Sequence, residues 1–189
     1  MKVLGLVCSP REGGNTEILV REALAGAEQK GAETELYLVA DKNIGPCIAC
    51  EACSAEGVCA TDDDMQVLYE KLLAADGIIF GTPVYFINVS AQAKAVIDRS
   101  FAFLRHGKLR GKTAAAIIAV RRVGAGQVLG LMYTWFALHG MNVAGGGIGY
   151  GREKGEVRDG PGGSPGVTAL DEARSVGRNV ARTIQRMGG

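Results

Sequence analysis

Four of the chain's five cysteines fall within thirteen residues, as Cys47, Cys50, Cys53 and Cys59 in a C-x2-C-x2-C-x5-C run. Two-residue gaps let successive thiolates turn to the inside of a tight loop. The longer last gap lets the chain wrap around what they enclose, which is how a short segment surrounds a cubic iron–sulfur cluster. Zinc sites more often pair two C-x2-C units across a longer gap. In runs with a three-residue last gap the fourth cysteine serves a second cluster; here no further cysteine lies nearby, so Cys59 has to complete a single site. A [4Fe-4S] cluster, zinc, and free thiols or a redox-active disulfide are the three readings of the run, with the cluster favoured. Cys8 ends an apolar run and reads as a small buried hydrophobe.

A second stretch is suited to an anion. Residues 9–16, Ser-Pro-Arg-Glu-Gly-Gly-Asn-Thr, join an apolar run to a helical pattern. Gly13 and Gly14 permit positive-φ conformations in which successive N–H groups face one concavity, and the following helix N-terminus adds partial positive charge. Ser9, Asn15 and Thr16 supply short polar side chains, and Arg11 a guanidinium fork for phosphate oxygens. Neither G-x-G-x-x-G nor G-x-x-x-x-G-K-[ST] occurs here, so a terminal monophosphate, as in flavin mononucleotide (FMN), is the better expectation than a dinucleotide or nucleoside triphosphate.

The third stretch is Gly81-Thr82-Pro83-Val84-Tyr85-Phe86-Ile87-Asn88-Val89-Ser90. Its apolar and aromatic side chains and backbone N–H groups suit the wall and pyrimidine edge of a flavin ring, although adjacent aromatics before a helix are also common core material. Arg121 and Arg122 begin a further loop; a cation there would offset charge on a reduced flavin or meet a nicotinamide nucleotide's phosphate. Asp62, Asp63 and Asp64 read as helix-start acids rather than a metal site. His106 and His139 show no partner, and no Ser/His/Asp or Cys/His hydrolytic arrangement emerges.

These loops need a frame. Hydrophobic periodicity predicts strands over 3–8, 33–39, 77–81, 113–120 and, weakly, 142–146, alternating with helices over 16–30, 62–75, 90–103, 127–138 and 168–187. Continuous apolar strands alternating with helices indicate an α/β, doubly wound, five-stranded parallel sheet. A phosphate-type loop directly after the first strand fits the flavodoxin-like order 2-1-3-4-5, with ligands against the loops after strands one, three and four. The cysteine segment, 46–60, is then an insertion after strand two. Residues 145–166 hold ten glycines. A mobile surface loop is the ordinary reading of such a stretch, with a lid or a subunit arm as alternatives.

At 189 residues, the chain suits one domain spanning 1–189 with a core that needs no disulfides. A net charge of +1 gives no electrostatic case for nucleic acid or an anionic membrane. No apolar run reaches the roughly 18 residues of a membrane span, and the N-terminus lacks a secretory pattern. A cytoplasmic, reducing location is expected, which favours a metal or redox role for the cysteines over structural disulfides.

With Ser9-Pro10-Arg11-x-x-Gly14-Asn15-Thr16, Gly81-Thr82-Pro83-Val84-Tyr85 and the cysteine run taken together, the chain resembles the flavodoxin-like family of NADPH-dependent FMN reductases, and within it the iron–sulfur flavoprotein group. The resemblance covers nearly the whole chain. It implies one FMN per subunit, a [4Fe-4S] cluster on Cys47, Cys50, Cys53 and Cys59, and homodimers or homotetramers in which a cluster approaches a neighbour's flavin. It also implies Ser9, Arg11, Asn15 and Thr16, with Gly14, at the phosphate, and Pro83, Val84, Tyr85, Phe86 and Asn88 along the ring. The expected function is an FMN-dependent oxidoreductase passing electrons between a donor (NAD(P)H or a ferredoxin-like protein), FMN and the cluster, the flavin and not a side chain carrying the chemistry. The alternatives are a cluster-free NAD(P)H-dependent flavin or quinone reductase, and a redox-sensing or electron-carrier module without its own substrate.

Overall fold

A computed structural model describes residues 1–188. Its five strands, β1 (Lys2–Val7), β2 (Glu33–Leu38), β3 (Gly77–Pro83), β4 (Thr113–Val120) and β5 (Asn142–Tyr150), form one parallel sheet in the order β2-β1-β3-β4-β5. This is the expected flavodoxin-like order. Alternate residues of a strand face opposite sides, so Leu4 and Leu6 enter one core while Val3 and Val7 enter the other. Helices α1 (Asn15–Glu28) and α7 (Ala169–Met187) cover the second face. The first is covered by α3 (Met65–Ala74), α4 (Ala91–Arg99) and α6 (Ala125–Leu138). The short α2 (Cys53–Glu56) lies within the cysteine segment, and α5 (Phe101–Leu104) follows α4. No helix among the described residues is long and apolar enough to cross a membrane.

Beyond shifts of one or two residues, three elements differ from the periodicity. The helix predicted from residue 62 starts at Met65, because Asp63 is used elsewhere, as described below. The helix predicted over 90–103 is two helices: Ser90 caps α4, its Oγ accepting the Ala93 N–H at 3.1 Å, and the chain bends at Ser100 before α5. The fifth strand runs four residues further than predicted, to Tyr150.

Residues 145–150 are therefore strand rather than loop, and the glycines there follow from packing. A Cβ on Gly146 would collide with Leu129 and Tyr133 of α6, and one on Gly149 would press Leu19 and Val157. The remainder of the predicted loop is anchored. It carries a 3-10 turn at Glu156–Arg158 whose Val157 is wholly buried, and isolated bridges Gly149↔Gly162 and Pro161↔Thr168 fasten its two limbs. A buried apolar anchor and backbone bridges are not features of a mobile surface loop.

Candidate functional site

The C-terminal ends of β1, β3 and β4 open onto a cavity of about 470 Å3, within the range of small-molecule sites. The structure brings Ser9, Arg11, Gly14, Asn15, Thr16, Pro83, Val84, Tyr85 and Phe86 around it, joined by Ala119, Val120, Arg121, Gly151, Arg152 and Lys154. Four of these are cations, Arg11, Arg121, Arg152 and Lys154, and no carboxylate lines the cavity. Helix α1 points its N-terminus here; its cap position, Gly14, has φ −78° and no side chain caps the first turn. Uncapped N–H groups, the helix dipole and four cations favour an anion.

Of the paired glycines only Gly13 is left-handed, at φ 60°. Its N–H does not face the cavity but donates to Glu17 Oε2 at 2.6 Å, and Glu17 is balanced by Arg21. Asn15 lines the cavity and also has a structural part. Both ends of its amide are committed to the 151–155 loop: Nδ2 donates to Glu153 O at 2.9 Å and Oδ1 accepts the Gly155 N–H at 2.8 Å. That loop delivers Arg152 and Lys154, which the sequence reading missed because a glycine-rich stretch carries no periodicity.

After β3, Tyr85 and Asn88 exchange backbone hydrogen bonds at 2.8 and 3.0 Å around Phe86 and Ile87, whose φ angles are 51° and 63°. Two left-handed central residues define a type I′ turn, a geometry that suits Asn-Gly and strains a bulky or β-branched residue. Phe86 is fully exposed as a result. Asn88 stands outside the cavity lining; its Oδ1 accepts the Val89 N–H at 2.8 Å and so stabilises the turn. Cys8 is fully buried, and burial pushes its thiol well above the ordinary range.

A second cavity, of about 560 Å3, lies between the cysteine segment and helices α4 to α6. Cys47, Cys50, Cys53 and Cys59 all line it, together with Arg99, Ser100, Trp135 and His139. Cys47 and Cys50 are exposed, and Cys53 and Cys59 half-buried. Ala49 and Glu51, on either side of Cys50, both have positive φ (53° and 57°), which costs energy in L residues and clusters at functional loops.

The polar residues behind these thiols are unusually placed. Asp63, expected as a helix-start acid, does accept the Met65 N–H at 3.0 Å, but its carboxylate also takes both ends of the Arg99 guanidinium, at 2.7 and 3.0 Å. Burial raises the Asp63 pKa, yet the Arg99 and backbone hydrogen bonds prevail and hold it below the ordinary value. Burial also pushes Cys59 up, and is outweighed by hydrogen bonds at Thr61 and by the nearby charge of Arg99, which leave the thiol below its ordinary range. Ser100 has one hydroxyl proton, given to Ile97 O at 2.6 Å; its lone pairs then accept Trp135 Nε1–H and His139 Nε2–H, each at 2.9 Å. Nδ1 of His139 is thus a bare acceptor, and burial lowers the pKa of the ring.

Two buried side-chain polar atoms lack any partner among the described residues, Arg99 Nε and His139 Nδ1, and both belong to residues lining this cavity. A buried polar atom without a partner costs about 1–3 kcal/mol, so these two residues bordering one space carry an unmet polar demand. Four thiol donors fit a thiolate-bound metal group. A single zinc ion needs its sulfurs at about 2.3 Å, and no three His, Cys, Asp or Glu side chains among the described residues gather to hold an ion. What the four thiols share is the lining of one cavity.

A family model described as NADPH-dependent FMN reductase matches residues 1–153, which contain every cysteine of the run and nearly all of the first cavity. An iron–sulfur flavoprotein of Methanocaldococcus jannaschii is 40% identical, the match taking in 98% of this chain and 98% of that one. An iron–sulfur flavoprotein of Methanosarcina thermophila is 40% identical over 77% of this chain and 78% of its own. Among solved structures, a flavodoxin, WrbA-like protein from Agrobacterium tumefaciens shares the fold, with a TM-score of 0.64 at 20% identity over 98% of each chain. The chain belongs to the NADPH-dependent FMN reductase family and is a flavin-dependent oxidoreductase with FMN as its cofactor.

Proposed function

We propose that FMN places its phosphate on the loop at residues 9–16 and its ring against residues 83–86, that Cys47, Cys50, Cys53 and Cys59 hold a [4Fe-4S] cluster, and that the protein passes electrons between a reduced donor, flavin and cluster. One observation carries the reading of the cysteines: all four thiols border a single cavity, whose lining also includes Arg99 and His139. FMN exchanges one or two electrons and a single cluster one, so the pair interconverts two-electron and one-electron chemistry.

The side chains bind and tune rather than react. Arg11, Arg121, Arg152 and Lys154 offset the phosphate and the negative charge of a reduced ring. Ser9 and Thr16 line the site with hydroxyls, Val84, Tyr85 and Phe86 give the ring an apolar wall, and Asn15 holds the loop bearing Arg152 and Lys154. No His, Asp or Glu lines this cavity to act as an acid or base. NAD(P)H or a ferredoxin-like protein is the proposed donor. Exposed Phe86 and Ile87 beside the cavity mouth support association into homodimers or homotetramers.

Anaerobic purification with flavin, iron and sulfide analysis tests this. The expected result is one FMN with about four iron and four sulfide per subunit, and broad charge-transfer absorption beneath the flavin bands. Yellow, iron-free protein after anaerobic reconstitution overturns the cluster. A second reading has support in the exposure of Cys47 and Cys50: a cluster-free NAD(P)H-dependent flavin or quinone reductase with the cysteines as thiols. Under it, Cys50→Ser and Cys53→Ser leave steady-state NAD(P)H oxidation unchanged.

A further inference from the structure

Arg99 lies at the end of α4, is 2% exposed, and reaches across to both stems of the cysteine segment. Its Nη1 donates to Gly45 O at 3.2 Å and its Nη2 to Thr61 O at 3.4 Å, the residues just outside the segment on either side. The bidentate partner, Asp63, completes the closure by accepting the Gly45 N–H at 3.0 Å. Four of the five guanidinium donors face this network. The fifth, Nε–H, has no partner, although the residue lines the cavity shared with Cys47, Cys50, Cys53 and Cys59.

A buried arginine is costly unless all its donors are used, and an ion pair this deep is poor evidence of a stabilising role. Apolar residues would close the base of the loop without an orphan N–H. What they would not supply is a rigid fork that ties both stems together and still has one N–H to spare beside the thiols.

We propose that Arg99 is a positioning residue for the cysteine site: with Asp63 it clasps the two stems so that the thiolates border one space, and its Nε–H serves the anionic metal–sulfur group bound there. This rests on the cluster reading above. The guanidinium fork provides the clasp, and the Nε–H a hydrogen bond to sulfur that favours the more negative, reduced state of the group.

The test compares the reconstituted full chain with Arg99→Lys and with the Arg99→Met/Asp63→Leu double variant, which removes both charges and leaves neither buried alone. Equal FMN content and circular dichroism establish that all three fold. In the double variant, iron loss to a chelator should be about 10–100-fold faster, and amide hydrogen exchange over 46–60 in the iron-free protein should rise while the sheet stays unchanged. Arg99→Lys keeps the charge but lacks Nε–H, so the cluster's midpoint potential should fall. Wild-type iron retention, exchange and potential in these variants would overturn the proposal. Should the wild type itself take up no iron, the cluster reading fails and exchange in the iron-free proteins decides the clasp alone: faster exchange over 46–60 in the double variant upholds it, unchanged exchange sinks it.

Discussion

Asn15, the first residue of α1, grips Gly155 from 140 positions away in the sequence: its Oδ1 accepts the Gly155 N–H while its Nδ2 donates to the neighbouring Glu153 carbonyl. The contact joins the phosphate-type loop to the segment that carries Arg152 and Lys154, and Lys154 closes the same ring by donating to Glu12 O at 2.8 Å. Asn15→Ala removes two hydrogen bonds of about 1 kcal/mol each. FMN affinity should fall by about tenfold, and protease cleavage near residue 152 should rise with it. Flavin fluorescence quenching and limited proteolysis measure the two. If affinity falls while cleavage stays at the wild-type rate, Asn15 contacts the ligand directly instead of holding the loop.

Arg11 is exposed and lines the acid-free cavity, so its contribution should depend on the phosphate. A hydrogen bond to a charged group is worth about 1.5–3 kcal/mol. Arg11→Ala should weaken FMN by about 10–100-fold and riboflavin hardly at all, and the difference should shrink with added salt. Equal losses for FMN and riboflavin would place Arg11 at the ring instead.

The turn at Phe86 and Ile87 holds two L residues in left-handed conformations, and each such residue costs about 1–3 kcal/mol. Replacing the pair by Asn-Gly, which suits a type I′ turn, should raise stability by about 1–2 kcal/mol and the melting temperature by about 2–8 °C in a chain of this size. Calorimetry of the FMN-free protein checks it. Flavin affinity should move the other way, because the apolar wall that Phe86 supplies is lost. A turn kept for its ring contact, at a cost to the fold, predicts both changes together.

How much of this was legible in the sequence follows from distance along the chain. The strand order came from apolar runs and the placement of residues 9–16, both local signals, and the lining of the first cavity followed because the loops after β1 and β3 meet wherever that order holds. The fifth strand was read short because its glycines, selected by Leu129, Tyr133 and Leu19 pressing on the sheet, give no hydrophobic pattern. Arg99 and Asp63 are 36 positions apart and His139 and Ser100 are 39 apart. No periodicity links them, so Asp63 looked like a helix-start acid and His139 like a histidine without a partner.

That His139 environment gives the last expectation. Burial lowers the ring's pKa from its ordinary value of about 6.5, so the folded chain keeps the imidazole neutral where the unfolded chain has begun to protonate it. The unfolded state then binds more protons, and stability falls as pH drops below about 6.5, levelling off once the folded-state value is passed. Asp63 acts in a separate window: its lowered pKa contributes stability above the unfolded value of about 3.9, lost as pH falls further. Trp135 is the chain's one tryptophan, stands 5.4 Å from the His139 ring and shares Ser100 with it, so its fluorescence reports this packing directly. Urea midpoints followed by that fluorescence in the iron-free protein should decline between pH 7 and pH 5. His139→Gln, whose amide N–H still reaches toward Ser100 without titrating, should flatten the decline and leave the acid loss near pH 4 in place. A wild-type midpoint constant from pH 7 to pH 5 would mean that His139 takes up its proton in the folded state, with Nδ1 finding a partner on the cavity side.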